Sequence, residues 1–276
     1  NGSTGDLTAS GNIAVSARTG EVNVLGGNDN ATYAMIGHGG QSNRGIYIGD
    51  IHVRAGTHVQ LDAGNRDQAQ AQIGHGGWDA DGNKTGVIKV SAGTGALYTN
   101  LGVGIFDDMG DFNNDSVADV INFATSDKTL GTIELSGGEA ANESWAQIGH
   151  GGRSAQGGGS DTYTGVIGVS ATGNIDVLGG PNGRGYAQIG HGGWDENSSV
   201  NITGDISVIS EEGDLTVKAG SGSESYALVG HGDDQNNNTT NLGGSRQGAI
   251  NVVAGTITLD RSGAEVAWIG HTFDMA

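Results

Sequence analysis

Six of the eight histidines fall at one position of a recurring phrase. The phrase runs Tyr33-Ala34-Met35-Ile36-Gly37-His38 and then Ala71-Gln72-Ile73-Gly74-His75, Ala146-Gln147-Ile148-Gly149-His150, Ala187-Gln188-Ile189-Gly190-His191, Ala227-Leu228-Val229-Gly230-His231 and Ala267-Trp268-Ile269-Gly270-His271. A neutral imidazole can bind a metal through its bare nitrogen, or hold a turn by donating from one nitrogen and accepting at the other. If each phrase is a strand paired with its counterpart, the six rings form a ladder with a step of roughly 4.8 Å. A straight ladder offers two ligands per ion, whereas a tight zinc site needs three or four converging tetrahedrally. Strand alternation also puts Ala, Ile and His on one side, so a His whose Ile neighbour enters the core enters it too. The expectation is a structural ladder of buried, neutral corner histidines at His38, His75, His150, His191, His231 and His271.

A calcium centre is the stronger metal candidate, and it lies elsewhere. Asp111, Asn113, Asp115 and Asp119 stand at positions 1, 3, 5 and 9 of one acidic run, with the carbonyl of Val117 at position 7. Oxygen ligands at alternate positions are what a calcium loop requires. Ser116 replaces the usual turn glycine, and the loop resembles those of integrin-type FG-GAP repeats and dockerins. A weaker echo occurs at Asp79-Ala80-Asp81-Gly82-Asn83, and the acidic run at Asp233, Asp234, Asn236 and Asn238 occupies a comparable place; both read first as turns.

Two further sets repeat. Gln72, Gln147 and Gln188 take the face opposite the isoleucines, where they are expected to form a solvent-facing amide ladder. Tyr33, Trp145, Tyr186 and Tyr226 open the histidine phrase, and Trp78 and Trp194 follow its Gly-Gly; covering the mouth of the core is the favoured use, with stacking on sugar rings the alternative.

These residues need elements to carry them. Two more modules precede each histidine phrase. One is an alternating strand such as Ile13-Ala14-Val15-Ser16-Ala17, Ile88-Lys89-Val90-Ser91-Ala92 or Ile167-Gly168-Val169-Ser170-Ala171; the other is shorter, such as Val22-Asn23-Val24, Ile133-Glu134-Leu135 or Ile175-Asp176-Val177. Their period of two argues strands with one buried face. Successive first-module isoleucines lie 38, 37, 79, 39 and 44 residues apart, so the third repeat alone is long. Its excess, 94–130, reads as an inserted loop or subdomain. Strands repeated at a fixed period bury their apolar faces by stacking. The fold expected is therefore all-β: a right-handed parallel β-helix over 1–276, a single domain of about six three-strand coils, with one coil per repeat. Neither end carries a recognisable cap, which predicts a segment of a longer filament or end-to-end self-association.

Composition narrows the partners. With 12 basic against 31 acidic residues the net charge is -19, which opposes nucleic acid and favours divalent cations. Glycine is abundant at 54 residues beside a single proline, and it sits between β-branched runs, a turn pattern and not a disordered one. There is no cysteine and no apolar run long enough to span a bilayer, so no membrane insertion is expected.

The cadence Gly-x-Ile-x-Val-x-Ala-x-x-Gly-x-Ile-x-Val-x-Gly-Gly, as over Gly11 to Gly27 and Gly165 to Gly180, resembles the filamentous-haemagglutinin-like adhesins exported by two-partner secretion or autotransport. The resemblance implies a non-catalytic adhesin, biofilm-matrix or filament protein, extracellular or at the cell surface of a Gram-negative-type bacterium, with a polysaccharide or cell-surface ligand. No amino-terminal secretion domain is recognisable. The alternative is a carbohydrate-active β-helix, polysaccharide-binding or lyase-like, that uses Ca²⁺.

Overall fold

The computed structural model describes residues 7–93, 129–138, 143–154, 161–194, 200–232, 244–261 and 265–272. Among them every strand pairs in parallel with its counterpart one repeat away, and the result is a β-solenoid of four sheets with six strands each. The first module makes one sheet, Ile13–Ala17, Ile51–Ala55, Ile88–Ala92, Ile167–Ala171, Ile206–Ser210 and Ile250–Val253. The second makes another, Val22–Leu25, His58–Asp62, Thr132–Ser136, Ile175–Leu178, Leu215–Lys218 and Ile257–Asp260. The histidine phrases supply a third, Tyr33–Ile36, Gln70–Ile73, Ala146–Ile148, Ala187–Ile189, Ala227–Val229 and Ala267–Ile269.

The expected three-strand coil is thereby corrected to four strands. The remaining sheet is built from Leu7–Ser10, Gly45–Ile48, Lys84–Thr85, Thr162–Thr164, Asn201–Thr203 and Arg246–Gln247, just ahead of each first-module isoleucine. These strands are two to four residues long, too short for alternation to register. One register column in them carries Tyr47, Lys84, Tyr163, Ile202 and Arg246, with no common side-chain type. What does recur is the glycine that ends each strand: Gly11, Gly49, Gly86, Gly165, Gly204 and Gly248.

Register keeps like on like. Ile88 sits between Ile51 and Ile167, and Val90 between Val53 and Val169, so one repeat makes one coil. The central core is a column of Ile, Val, Leu and Ala from the three longer sheets, almost all fully buried. A separate core lies outside it. Trp145, Tyr186, Tyr226 and Leu228 alternate with the inward Ala and Ile of the histidine-phrase strands and pack together on their outer face, with Trp194 against them. Trp145 stacks on Tyr186 at 5.5 Å and Tyr186 on Tyr226 at 4.8 Å. Equivalent aromatics in parallel strands are brought face to face by the strand spacing itself. Tyr33, in the first of these strands, remains exposed.

Candidate functional site

Each histidine phrase ends at a sharp corner. Gly76 and Gly151 there have φ near +121° and +111°, and a Cβ on Gly76 would overlap the carbonyl oxygen of Gly151 in the next coil. Only glycine permits both the conformation and the approach. The corner delivers the imidazole across the coil to the glycine that precedes the first-module strand. Nε2 of His38, His75, His150, His191, His231 and His271 lies 2.8–3.0 Å from the carbonyl oxygens of Gly11, Gly49, Gly86, Gly165, Gly204 and Gly248 respectively. Every coil is thus closed on itself, its end tied to its beginning.

The other ring nitrogen ties coil to coil. The backbone N–H of His38 donates to Nδ1 of His75 at 3.0 Å, and the same bond repeats from His75 to His150, His150 to His191, His191 to His231 and His231 to His271 at 2.9–3.2 Å. Successive rings stack with centroids 4.6–4.9 Å apart and planes within 5°. These partners dictate the tautomer. A backbone N–H can only donate, so Nδ1 is bare; a carbonyl can only accept, so Nε2 carries the hydrogen. From His75 to His271 both nitrogens are engaged by backbone, so these rings neither bind a metal through a free lone pair nor pass a proton from ring to ring. Among the described residues no group of three or more His, Asp or Glu is placed to hold a metal ion.

Burial opposes the charged form of these rings. Desolvation, reinforced by neighbouring imidazoles and by Lys84, pulls His75 down to about 4 and His150 well below its usual value. His191 is pulled to about 3 and His231 to about 4, again chiefly by burial, with the adjacent ring opposing a second charge.

The glutamine ladder is not solvent-facing, contrary to expectation. Gln72, Gln147 and Gln188 are fully buried. Nε2 of Gln72 donates to the carbonyls of Gly149 and Gly151 at 3.0 and 3.2 Å, Gln147 to those of Gly190 and Gly192 at 2.9 and 2.7 Å, and Gln188 to those of Gly230 and Gly232 at 3.1 and 3.0 Å. The Gly-Gly corner folds the following chain back over this face, so the amides reach carbonyls that the corner buries: those of Gly149 and Gly190 lack a backbone donor, whereas those of Gly151 and Gly192 also accept the N–H of Gly77 and Gly152.

At the acidic echo, the loop carbonyls are taken by a side chain. Lys84 is completely buried; its ammonium donates to the carbonyl oxygens of Ala80 and Gly82 at 2.8 and 3.0 Å and lies 4.2 Å from the centre of the Tyr163 ring and 5.8 Å from that of Tyr47. The cation of this loop is supplied from within the chain. The calcium candidates Asp111, Asn113, Asp115, Val117 and Asp119 lie outside the described residues, as do Asp233, Asp234, Asn236 and Asn238.

On the exterior, the turns between the second-module and histidine-phrase strands form one column. Ala31, Gln68, Glu143, Arg184 and Glu224 all adopt left-handed backbone, with φ from 58° to 67°. Glu143 accepts both guanidinium arms of Arg153 at 2.8 Å and one of Arg184 at 2.6 Å, and Arg184 reaches Glu224 at 2.7 Å. Trp194 lies 4.6 Å from the Arg153 guanidinium and 4.4 Å from that of Arg184. Beside the column runs a shallow groove of about 410 Å³, lined by Asp67, Gln68, Glu143, Gly183, Arg184, Ser223 and Glu224. Trp194 is visible in the sequence, but its two arginines are 10 and 41 residues away, and only stacking brings them together. Compared with protein-family models, curated proteins and solved structures, the chain matches none.

Proposed function

We propose that this chain is the rod of an extracellular structural or adhesive protein, a right-handed β-helix of the filamentous-haemagglutinin-like adhesin type, serving at the surface of a Gram-negative-type bacterium as an adhesin, filament or biofilm-matrix component. One observation supports the reading most. The polar residues that recur from coil to coil, His and Gln, are buried and bonded to backbone at the glycine corners, while the residues facing solvent differ from coil to coil. A repeat whose constant part is committed to stiffness and whose variable part faces solvent suits a scaffold. Electron microscopy of the native protein on and released from its cells tests this: fibres or elongated surface projections are expected, and isolated globular particles would overturn it.

A second reading has its own observation. The groove beside Trp194 offers paired carboxylates, a guanidinium and an amide along a repeating axis, the kind of polar lining that orients a saccharide. Binding of a polysaccharide there, with Ca²⁺ held by the Asp111–Asp119 run, would make the protein carbohydrate-active. Release of unsaturated sugars from an acidic polysaccharide, abolished by a chelator, would establish this reading over the first.

A further inference from the structure

The histidine column is where the chain commits most of its repeated chemistry, and its geometry leaves no place for a second proton. In five of the six rings Nδ1 faces the backbone N–H of the preceding coil's histidine, from 2.9 to 3.2 Å away. A hydrogen on Nδ1 would oppose that N–H hydrogen and break the bond between coils. The charge it brings would meet another imidazole stacked less than 5 Å above and below. We propose that the histidine seam is an acid-operated latch: at neutral pH it closes each coil and joins it to the next, and protonation of the column in acid breaks the bonds between coils, sets like charges on stacked rings and unlocks the rod reversibly.

The charged groups around the column are few. Lys84 stands near His75 and His150 and resists their protonation. Asp50 beside His75 and Asp205 beside His231 favour it, and Arg246 opposes it at His231. Among the described residues, the other influences on His75, His150, His191 and His231 are neighbouring histidines and backbone carbonyls. An unfolded imidazole takes its proton near pH 6.5. The folded ones of His75 and His231 take theirs only at about 4, and that of His191 at about 3. Between those limits the unfolded chain binds more protons than the folded one, so stability is complete above about pH 6.5 and is lost as the pH falls. Each of these rings then lowers the folding constant by roughly 30-fold at pH 5 and on the order of 100-fold at pH 4.5.

The sign separates the latch from ordinary acid effects. The chain carries 31 acidic against 12 basic residues, so mild acid relieves its self-repulsion. Glu134 and Asp81, whose pKa values burial and neighbouring carboxylates raise, also fold more favourably when protonated. Without the seam, stability would rise from pH 7 to 5.

Imidazole ¹⁵N spectra of the intact chain, followed from pH 8 to 4 beside far-ultraviolet circular dichroism, test the proposal. The expected result is the Nε2–H tautomer for His75, His150, His191 and His231, no titration near pH 6.5, and a loss of strand signal in acid that reverses on neutralisation. Titration of these rings near pH 6.5 with the dichroism unchanged would overturn it, and so would strand signal persisting to pH 3. In the double variant His150→Gln, His191→Gln the amide can donate and accept in place of the ring but cannot be protonated; its acid midpoint should fall by about half a pH unit or more. An unchanged midpoint in a folded variant would count against the latch. Should the variant not fold, the wild-type spectra decide alone.

Discussion

Two ladders are built into this rod on opposite principles. The histidine seam repeats one residue in every coil, buried from His75 to His231, with every ring from His75 to His271 bonded to backbone at both nitrogens. The outer turn column instead changes residue at each step, Gln68, Glu143, Arg184, Glu224, and its members bond chiefly to one another. A neutral group that donates at one end and accepts at the other can be stacked on copies of itself indefinitely. A charged group cannot, because like charges about 4.8 Å apart repel, so sign must alternate and the ladder is short. The interior ladder can therefore define the repeat, and the exterior one can only decorate it.

That contrast can be broken most severely at the seam. Replacing His150 with Ala removes the partners of the Gly86 carbonyl and the His75 N–H and leaves a cavity, and should cost about 3–5 kcal/mol in chemical denaturation. Gly76→Ala should cost about 3 kcal/mol by the same measurement, since its Cβ would meet the Gly151 carbonyl and its φ is unfavourable for any L side chain. Gln147→Leu leaves the Gly190 carbonyl without a donor and the Gly192 carbonyl with only the Gly152 N–H, and should cost about 1–2 kcal/mol. Leu228 occupies the equivalent position one coil beyond Gln188, so the fold survives that substitution and the loss is confined to stability. At the outer column, Glu143→Gln removes the charge that Arg153 and Arg184 share and one of its two acceptor oxygens, at a side chain 17 % exposed. It should cost about 1–2 kcal/mol, an amount that shrinks as salt is raised from 0.05 to 0.5 M. A salt-insensitive loss at Glu143, or a salt-sensitive one at His150, would erase the distinction between the two ladders.

Both ladders rest on the same device, a residue in unusual backbone conformation at a fixed point of each coil. At the seam it is glycine, because a neighbouring carbonyl occupies the space of a Cβ. At the outer turn Gln68, Glu143, Arg184 and Glu224 tolerate φ near +60°, at a cost of about 1 kcal/mol each that the stacked bonds offset.

Much of the rod is legible in the sequence. Period-two alternation at recurring intervals identifies the strands of three sheets, the parallel stacking and one coil per repeat, because a strand that buries one face must alternate and a stacked repeat must match its neighbour residue by residue. The fourth sheet was hidden because its strands are two to four residues long and its buried column mixes Tyr47, Lys84, Tyr163 and Ile202, so no apolar period marks it. The glutamines were misplaced for a related reason. Alternation tells that Gln147 faces away from the central core; whether that outer face meets water depends on where the chain goes after Gly151 and Gly152, and it folds back over the strand. Sequence by itself thus determined which residues share a face and which repeat stacks on which, since those follow from local backbone geometry. Only the tertiary structure decided which outer faces are covered, which carbonyl each imidazole reaches and which arginines meet Trp194, since these join residues that the chain separates by tens of positions and only the stacking of coils brings within reach.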